Sequence, residues 1–502
     1  MEFKHDYYAI LGIPPHASEQ AIKQAYRQLA RRFHPDTSGE DQAVERFREV
    51  QEAYEVLIDP QQREVYDHWR RQQGWDRPPP LILRLTPSQQ ILPCLGEPQL
   101  LYLLIELSAS EQVESRRLPL NLGLILDHST SMKGARLQQA KEAAQYILEQ
   151  MGPEDVLSLV AFSDHASLIL PGRRGVDKAA ARSAINSIRA SGGTEILQGL
   201  KLGLEEVERW HTGAPGGQIS HLILLTDGQT YGDEAGCLEL ARYAGQKHIP
   251  ITTMGIGSDW NEKLLDQVAT LSGSPGGSFY IDSSARIAQV FHERLQALGS
   301  TFAHSVSLSV HLGERVSLKE AFLVSPQINQ LQFTDDRVLL GLLERHRPQA
   351  VMLELLIGSY GPGSHRLLQV AVEAQVPTVG SQPVRARQEL TLTFSSDLDR
   401  RESVPIDIVT AMGKLVIFKM QERAMAEIEV GQIEAAVDRL KTMATRLLNL
   451  GETELARAAL LEAGRLAHTG TLSSEGRKKI QYGTRGLSIL PKEVHRDQVP
   501  LL

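Results

Sequence analysis

Five oxygen-bearing side chains on three separate segments of this 502-residue chain could together bind a metal ion. Asp127, Ser129 and Ser131 end one apolar run, Thr194 lies in the short segment SGGT, and Asp227 ends a second apolar run. If both runs are parallel strands, their carboxyl ends lie at one edge of a sheet, and the two aspartates approach each other. Two carboxylates and three hydroxyls, without a thiolate, suit Mg²⁺, and also Mn²⁺ or Ca²⁺, better than Zn²⁺.

A second candidate site is the tripeptide His34, Pro35 and Asp36. It separates two segments, 18–33 and 41–57, in which apolar residues recur at helical spacing. Pro35 cannot lie inside a helix, and it disfavours helical backbone angles at the residue before it. The tripeptide is therefore expected to cap an antiparallel helical hairpin. One face of the first helix is basic, with cations four residues apart: Lys23, Arg27 and Arg31.

The pattern of apolar residues changes several times along the chain, so several domains are expected. Apolar strands that alternate with amphipathic helices predict a parallel sheet covered on both faces, whereas consecutive strands with Gly/Pro turns predict a β-sandwich. The strands before the α/β part are expected to pair with strands after residue 301. The predicted parts are a helical hairpin at 1–72, a Pro-rich linker at 73–80, sandwich strands at 81–117, an α/β domain at 118–300, further sandwich strands at 301–398, and a helical segment at 402–490.

The hairpin resembles a J domain, the module through which J-proteins engage DnaK-type chaperones. The segments DYYAILGI, IKQAYRQLARRFHPD, RFREVQEAYEVLIDP and REVYD match that family in order and spacing over residues 5–69. The resemblance implies that His34, Pro35 and Asp36, with the basic face of the second helix, contact the chaperone and trigger its ATP hydrolysis. Without the resemblance, the charges alone would fit a solvated helix face.

The α/β part resembles the von Willebrand factor type A domain with its metal-ion-dependent adhesion site, over residues 118–299. The resemblance implies that Ser129, Ser131 and Thr194 coordinate the ion, that the aspartates act mostly through water, and that a carboxylate of a partner completes the shell. One departure is Thr130, where the family usually has glycine. A threonine there is expected to be strained if the position requires positive φ. Turn and cap chemistry is the alternative role for these residues.

Composition narrows the class of protein. The net charge of −8 argues against nucleic acid as the main ligand, and the longest apolar run, 100–105, is too short to span a bilayer. Cys94 and Cys237 are well separated and form no metal-ligand pair. No secretory signal is visible at the N-terminus, so a cytoplasmic protein is expected. No phosphate loop, dinucleotide fingerprint or HExxH motif is present, so no intrinsic catalysis is expected.

These observations predict a multidomain co-chaperone or adaptor. Its J domain would stimulate the ATPase of a DnaK-type chaperone, and its type A domain would bind a protein client that presents a carboxylate. The alternative is a metal-dependent scaffold for protein–protein interaction, in which the J-like hairpin only docks a partner.

Overall fold

The structure, a computed structural model, describes residues 3, 5–13, 15, 17–32, 43–72, 79–113, 117–211, 217–230, 232–283, 286–380, 382–397 and 403–487. His34, Pro35 and Asp36 lie outside the described residues, as does most of the predicted linker. The contacts between residues divide the chain into two units, Met1–Pro79 and Pro80–Leu502, and each is described by itself.

The first unit is helical and is organised around buried tyrosines. Tyr66 is fully buried, and its hydroxyl accepts a hydrogen bond from the backbone N–H of Tyr7 at 2.8 Å. The ring of Tyr26 stacks on that of Tyr54 with centroids 4.1 Å apart, which joins the two long amphipathic helices. These helices are the two predicted on either side of the tripeptide. The described helices of this unit are α1 Tyr7–Leu11, α2 Glu19–Arg32, α3 Ala43–Ile58 and α4 Pro60–Gln72.

The second unit contains a β-sandwich into which an α/β domain is inserted. The early strand β3 (Gln99–Ala109) lies between β1 (Leu81–Pro87) and the late strand β14 (Gln349–Ile357), antiparallel to both. The predicted pairing of early with late strands is therefore confirmed. In the described residues one sheet has the order β1-β3-β14-β11-β12 and the other β13-β10-β15-β16-β2. The remaining sandwich strands are β2 Ile91–Pro93, β10 Thr301–Leu312, β11 Val316–Ser325, β12 Asn329–Gln330, β13 Arg337–Glu344, β15 Gly363–Gln375 and β16 Val384–Ser395.

The inserted domain is a sheet with the order β6-β5-β4-β7-β8-β9, and helices pack against its strands. The prediction of a wholly parallel sheet is wrong at one edge, because β6 runs antiparallel to β5. Only residues 163–165 separate these two strands, which is too short for the crossover that parallel neighbours require. The strands are β4 Leu120–Asp127, β5 Val156–Phe162, β6 Ala166–Arg174, β7 Ile219–Thr226, β8 Ile251–Ile256 and β9 Ser278–Ile281. The helices are α5 Ala135–Gln150, α6 Lys178–Ser187, α7 Ile196–Trp210, α8 Glu234–Gln246, α9 Glu262–Leu271 and α10 Ile287–Gly299.

The C-terminal helices pack on the outer face of a sandwich sheet. Phe418 meets Phe322 edge to face with centroids 6.3 Å apart, and the amine of Lys419 pairs with Glu320 at 2.5 Å. The helices are α11 Ile406–Glu429, α12 Ile433–Asn449, α13 Thr453–Thr469 and α14 Ser474–Arg485. No helix in the described part of the chain is long and apolar enough to cross a membrane.

Candidate functional site

Two neighbouring parallel strands bring the two aspartates together. Asp127 is the last residue of β4, and Asp227 directly follows β7; the strands pair with Leu126 opposite Leu225. Both strands are buried along their whole length, because they lie inside the sheet. Polar groups that follow such strands converge at the carboxyl edge of the sheet. Both carboxylates are buried there.

The carboxylate of Asp127 is held by two hydrogen bonds. The backbone N–H of Ser129 donates to one oxygen at 2.7 Å, and the hydroxyl of Thr226 donates to the other at 2.6 Å. Burial raises the pKa of Asp127 above its usual value, and these hydrogen bonds oppose that rise. A buried carboxylate fixed in this way gains from a nearby cation.

Two serine hydroxyls link the first segment to the second aspartate. Ser129 Oγ lies 3.0 Å from Ser131 Oγ, and the hydroxyl of Ser131 donates to Asp227 Oδ1 at 2.6 Å. Adjacent ligands of an octahedral ion with metal–oxygen distances of about 2.1 Å are about 3.0 Å apart. The hydroxyl spacing therefore fits adjacent positions around a small hard cation.

Thr194 comes from the loop between α6 and α7 and reaches the same place. A Cβ built on Gly228 would lie 2.7 Å from Thr194 Oγ1, so this hydroxyl lies against the residue that follows Asp227. Only glycine at position 228 allows so close an approach. The three segments that carry the predicted metal ligands thus meet at one edge of the sheet.

The expected strain at Thr130 is absent. Thr130 begins a short 3₁₀ helix, Thr130–Met132, and it is not among the described non-glycine residues with positive φ. Its N–H and its hydroxyl both donate to the carbonyl oxygen of Gly192, at 3.0 and 2.9 Å. The threonine therefore ties the first segment to the loop that carries Thr194. His128, which follows Asp127, lies with Nδ1 3.0 Å from the carbonyl oxygen of Arg189.

Arg136 is a site residue that sequence reasoning missed. It lies in the first turn of α5, and its guanidinium donates to Asp227 Oδ2 at 2.5 Å. Its other nitrogen packs against Gly257, where a Cβ would lie 3.0 Å away. Asp227 thus has a permanent counter-ion inside the protein. In the sequence, Arg136 is only an isolated arginine soon after the serines. A search for oxygen donors alone does not select it.

Helix α14 forms hydrogen bonds with the loop after β8, against which Arg136 packs. The amine of Lys478 donates to the carbonyl oxygens of Ser258 and Trp260, each at 2.7 Å, and lies 4.1 Å from the centre of the Trp260 ring. Lys478 is almost completely buried, and burial lowers its pKa to about 8. The C-terminal helices therefore help to define the shape of the carboxyl edge of the sheet.

The structure describes part of the predicted chaperone-binding surface. In α2, Ile22 is fully buried in the core of its unit, whereas Arg27 is exposed. The amine of Lys23 pairs with Glu19 one turn earlier, at 2.5 Å. Arg31 lies in the same helix, and its side chain is outside the described part of the chain.

Three family models match separate parts of the chain. The DnaJ domain matches residues 6–67, the von Willebrand factor type A domain matches residues 121–293, and the Sll0103-like C-terminal alpha-helical domain matches residues 407–489. The first two matches lie on the hairpin and on the α/β domain, and the third covers the C-terminal helices.

Individual proteins are similar to this chain over very different lengths. An uncharacterized protein of Synechocystis sp., sll0103, is 29% identical over 385 residues, which cover 75% of this chain and 90% of that protein. The chaperone protein DnaJ of Bacillus cytotoxicus is 58% identical over 66 residues, which are 13% of this chain and 18% of the chaperone. The match to this DnaJ chaperone thus covers less than a fifth of the chaperone's length.

A solved structure shares the architecture of the larger unit. A von Willebrand factor type A protein from Catenulispora acidiphila superposes with a TM-score of 0.66 at 16% identity, over 81% of this chain and 97% of its own. At this identity the likeness shows the fold alone.

Proposed function

We propose that this chain, in which a DnaJ domain precedes a von Willebrand factor type A domain, is an adaptor co-chaperone. Its DnaJ domain stimulates the ATPase of a DnaK-type chaperone, and its type A domain brings a protein client to that chaperone. The observation that carries the proposal is the presence, in one chain, of a DnaJ match that includes His34–Asp36 and of a separate cluster of oxygen-bearing side chains. A cytoplasmic location accompanies a DnaK-type partner and is part of the proposal.

The chaperone-facing surface is basic and polar. The exposed cation Arg27 lies one turn from Lys23, and Arg31 lies one turn further along the same helix. Positive charge on a helix face favours an acidic surface on the partner and speeds encounter. His34, Pro35 and Asp36 would then make the contacts that trigger ATP hydrolysis.

The type A domain is proposed to hold a divalent cation, with Mg²⁺ the best match and Mn²⁺ or Ca²⁺ also suited. The bound ion would supply one open coordination position for an oxygen of the client. Ser129, Ser131 and Thr194 would hold it directly, and Asp127 and Asp227 would hold it mostly through water. The oxygen-only donor set and the 3.0 Å spacing of the serine hydroxyls support this assignment.

The charge of the site favours a carboxylate as the client's ligand. Asp127 and Asp227 carry two negative charges when ionised, and a divalent cation balances them. Arg136 then leaves the occupied site with a net positive charge, because it already pairs with Asp227. An acidic side chain of the client would neutralise it, whereas a basic one would be repelled.

No catalytic step by the chain itself is part of this proposal. The only reaction assigned to it is the ATP hydrolysis of its partner, which the DnaJ domain would accelerate. A protein client, rather than nucleic acid, is the proposed ligand of the type A domain, in keeping with the net charge of −8.

Replacing Arg136 with glutamine is expected to raise the affinity for Mg²⁺ about tenfold, equivalent to about 1.4 kcal/mol. The reason is that a positive charge next to the cation is removed. The metal-free variant is expected to unfold more easily, because Asp227 loses its counter-ion. The cost is about 1–2 kcal/mol, less than for a fully buried pair, because the Arg136 side chain is 37% exposed.

Titration calorimetry with Mg²⁺ and chemical unfolding in chelator measure the two effects. The matched control is Arg242→Gln, an exposed arginine of α8, which should change neither quantity. A weaker affinity for Mg²⁺ in Arg136→Gln would mean that the arginine orients Asp227 for the metal rather than competing with it.

An affinity capture experiment with and without chelator tests the whole proposal. Wild type, His34→Gln and Asp127→Ala are each used as bait in an extract that contains a DnaK-type chaperone. We expect Asp127→Ala and chelator to remove the client and leave the chaperone, and His34→Gln to remove the chaperone and leave the client. If Asp127→Ala removes the captured partners and His34→Gln leaves all of them in place, the chain is the metal-dependent scaffold instead.

A further inference from the structure

A further candidate site, separate from the metal centre, lies at the opposite edge of the α/β sheet, where the inserted domain meets the sandwich. It is a cavity of about 90 Å³ between the amino ends of β7 and β8, the end of α10 and the strands β13 and β14. Six strand-rises along β7 separate it from the candidate metal centre, a distance of about 20 Å. Its polar lining includes His221, Thr252, Arg294, Glu344, Arg347 and Gln349.

Arg294 is a partly buried cation, and Glu344 of the same cavity favours its charged form. Its guanidinium stacks over the ring of Phe279 at 4.5 Å, and burial lowers its pKa from the usual value. Within the described part of the chain it makes no ion pair, and its buried Nε has no hydrogen-bond partner. A cation with an enclosed, unpaired N–H donor favours a bound anion.

A second guanidinium lies at the same cavity. Arg347 donates to the carbonyl oxygen of Pro326 at 3.1 Å, and this bond positions it at the wall. Glu344 supplies the one carboxylate of the lining, so two arginines face one glutamate. The lining therefore has a net positive charge. Planar guanidinium groups bind oxyanions through paired N–H donors.

His221 adds a neutral donor to the cavity. It is buried, and burial together with the nearby Arg294 lowers its pKa to about 3, so the ring is uncharged at pH 7. Its Nε2 lies 2.8 Å from the hydroxyl of Thr252, whereas the buried Nδ1 has no partner. When the threonine donates to Nε2, the proton of the ring resides on Nδ1 and is available to a ligand.

We propose that this cavity binds a phosphate-sized oxyanion, either free phosphate or the phosphate group of a small metabolite. Its volume holds one tetrahedral oxyanion in place of several water molecules. The two arginines and His221 would donate to the anion, and Glu344 would limit its affinity. Since these groups come from both the α/β domain and the sandwich, the anion would hold the two together.

The test is titration calorimetry and thermal unfolding of the full chain with sodium phosphate, glycerol phosphate and sodium acetate in separate arms. We expect saturable binding of phosphate with a Kd below about 1 mM and a rise in unfolding temperature that saturates with it. Binding of glycerol phosphate as well identifies a phosphomonoester site, and binding of inorganic phosphate alone identifies a site for the free ion. Saturable binding of acetate without phosphate would overturn the proposal.

Two substitutions give effects of opposite sign. Arg294→Gln should weaken phosphate binding at least about tenfold, since it removes a charged donor. In anion-free buffer it should unfold at about the same temperature as wild type, because the lost attraction to Glu344 is offset by the lost repulsion from Arg347. Glu344→Gln should tighten binding, since it removes the only negative charge of the lining.

Arg242→Gln, the exposed arginine of α8, is the control and should bind as wild type does. Equal stabilisation of wild type and Arg294→Gln by phosphate would show a general salt effect, and it would refute the site. Weaker binding in Glu344→Gln would refute the assignment of charge even if Arg294→Gln failed to fold.

Discussion

Replacing His34 with glutamine is expected to abolish the stimulation of a DnaK-type ATPase by this protein. The tripeptide that contains His34 lies in the segment that the DnaJ domain model matches, between α2 and α3. Glutamine keeps the polarity of the side chain and removes the imidazole, so the helices that flank the loop should still form. The measurement is single-turnover ATP hydrolysis by the chaperone with increasing amounts of wild type or variant.

The matched control for this prediction is His468→Gln, an exposed histidine in the last turn of α13. That variant should stimulate the ATPase as wild type does. Circular dichroism of the isolated variants checks that the helices persist. If His34→Gln stimulates as well as wild type, the hairpin is a docking element and the scaffold alternative gains support.

Replacing Asp127 with asparagine is expected to remove Mg²⁺ binding and capture of the client together. Asparagine has nearly the shape of the carboxylate and can still accept the N–H of Ser129, but it has no charge for the cation. Loss of a group that holds a metal through water typically lowers affinity about 10–100-fold. Titration calorimetry with Mg²⁺ measures the loss, and capture of the client with and without chelator measures its consequence.

The same variant carries its own test of folding. Because burial raises the pKa of Asp127, the metal-free protein disfavours the ionised form, so in chelator the neutral asparagine should cost no more than the hydrogen bond from the Thr226 hydroxyl, about 1 kcal/mol. Asp438→Asn, an exposed aspartate of α12, serves as the control. Unchanged Mg²⁺ affinity in Asp127→Asn would mean that the metal binds at a different place in the chain.

Much of the fold was predictable because it is encoded locally. The helical hairpin follows from apolar spacing over adjacent segments, and the strands β4 and β7 from short, continuously apolar runs. The strand β11 was not predicted, although it lies inside a sandwich sheet beside β14. Its sequence, VSLKEAFLVS, alternates apolar and polar residues over only four positions before two adjacent charges and an apolar run, and its pairing with β14 decides its conformation.

The convergence of the oxygen-bearing side chains was predictable from the sequence, whereas the charge balance around them was not. Asp127, Ser129 and Ser131 form a short motif that sequence alone reveals. The role of Arg136 depends on a contact with a residue 91 positions later. No local pattern distinguishes that arginine from the many that lie on the exposed face of a helix.

The sequence by itself determined most of the helices and strands, though not β11, and which oxygen-bearing residues end the strands. These properties depend on side chains that are close in the chain. Tertiary structure decided that Thr130 is unstrained and bonded to Gly192, and that Asp227 already has Arg136 as a counter-ion. It also decided that Arg294 and Arg347 line one cavity where the α/β domain meets the sandwich. These features arise from contacts between residues distant in sequence, which exist only when the whole sheet and its neighbours are assembled.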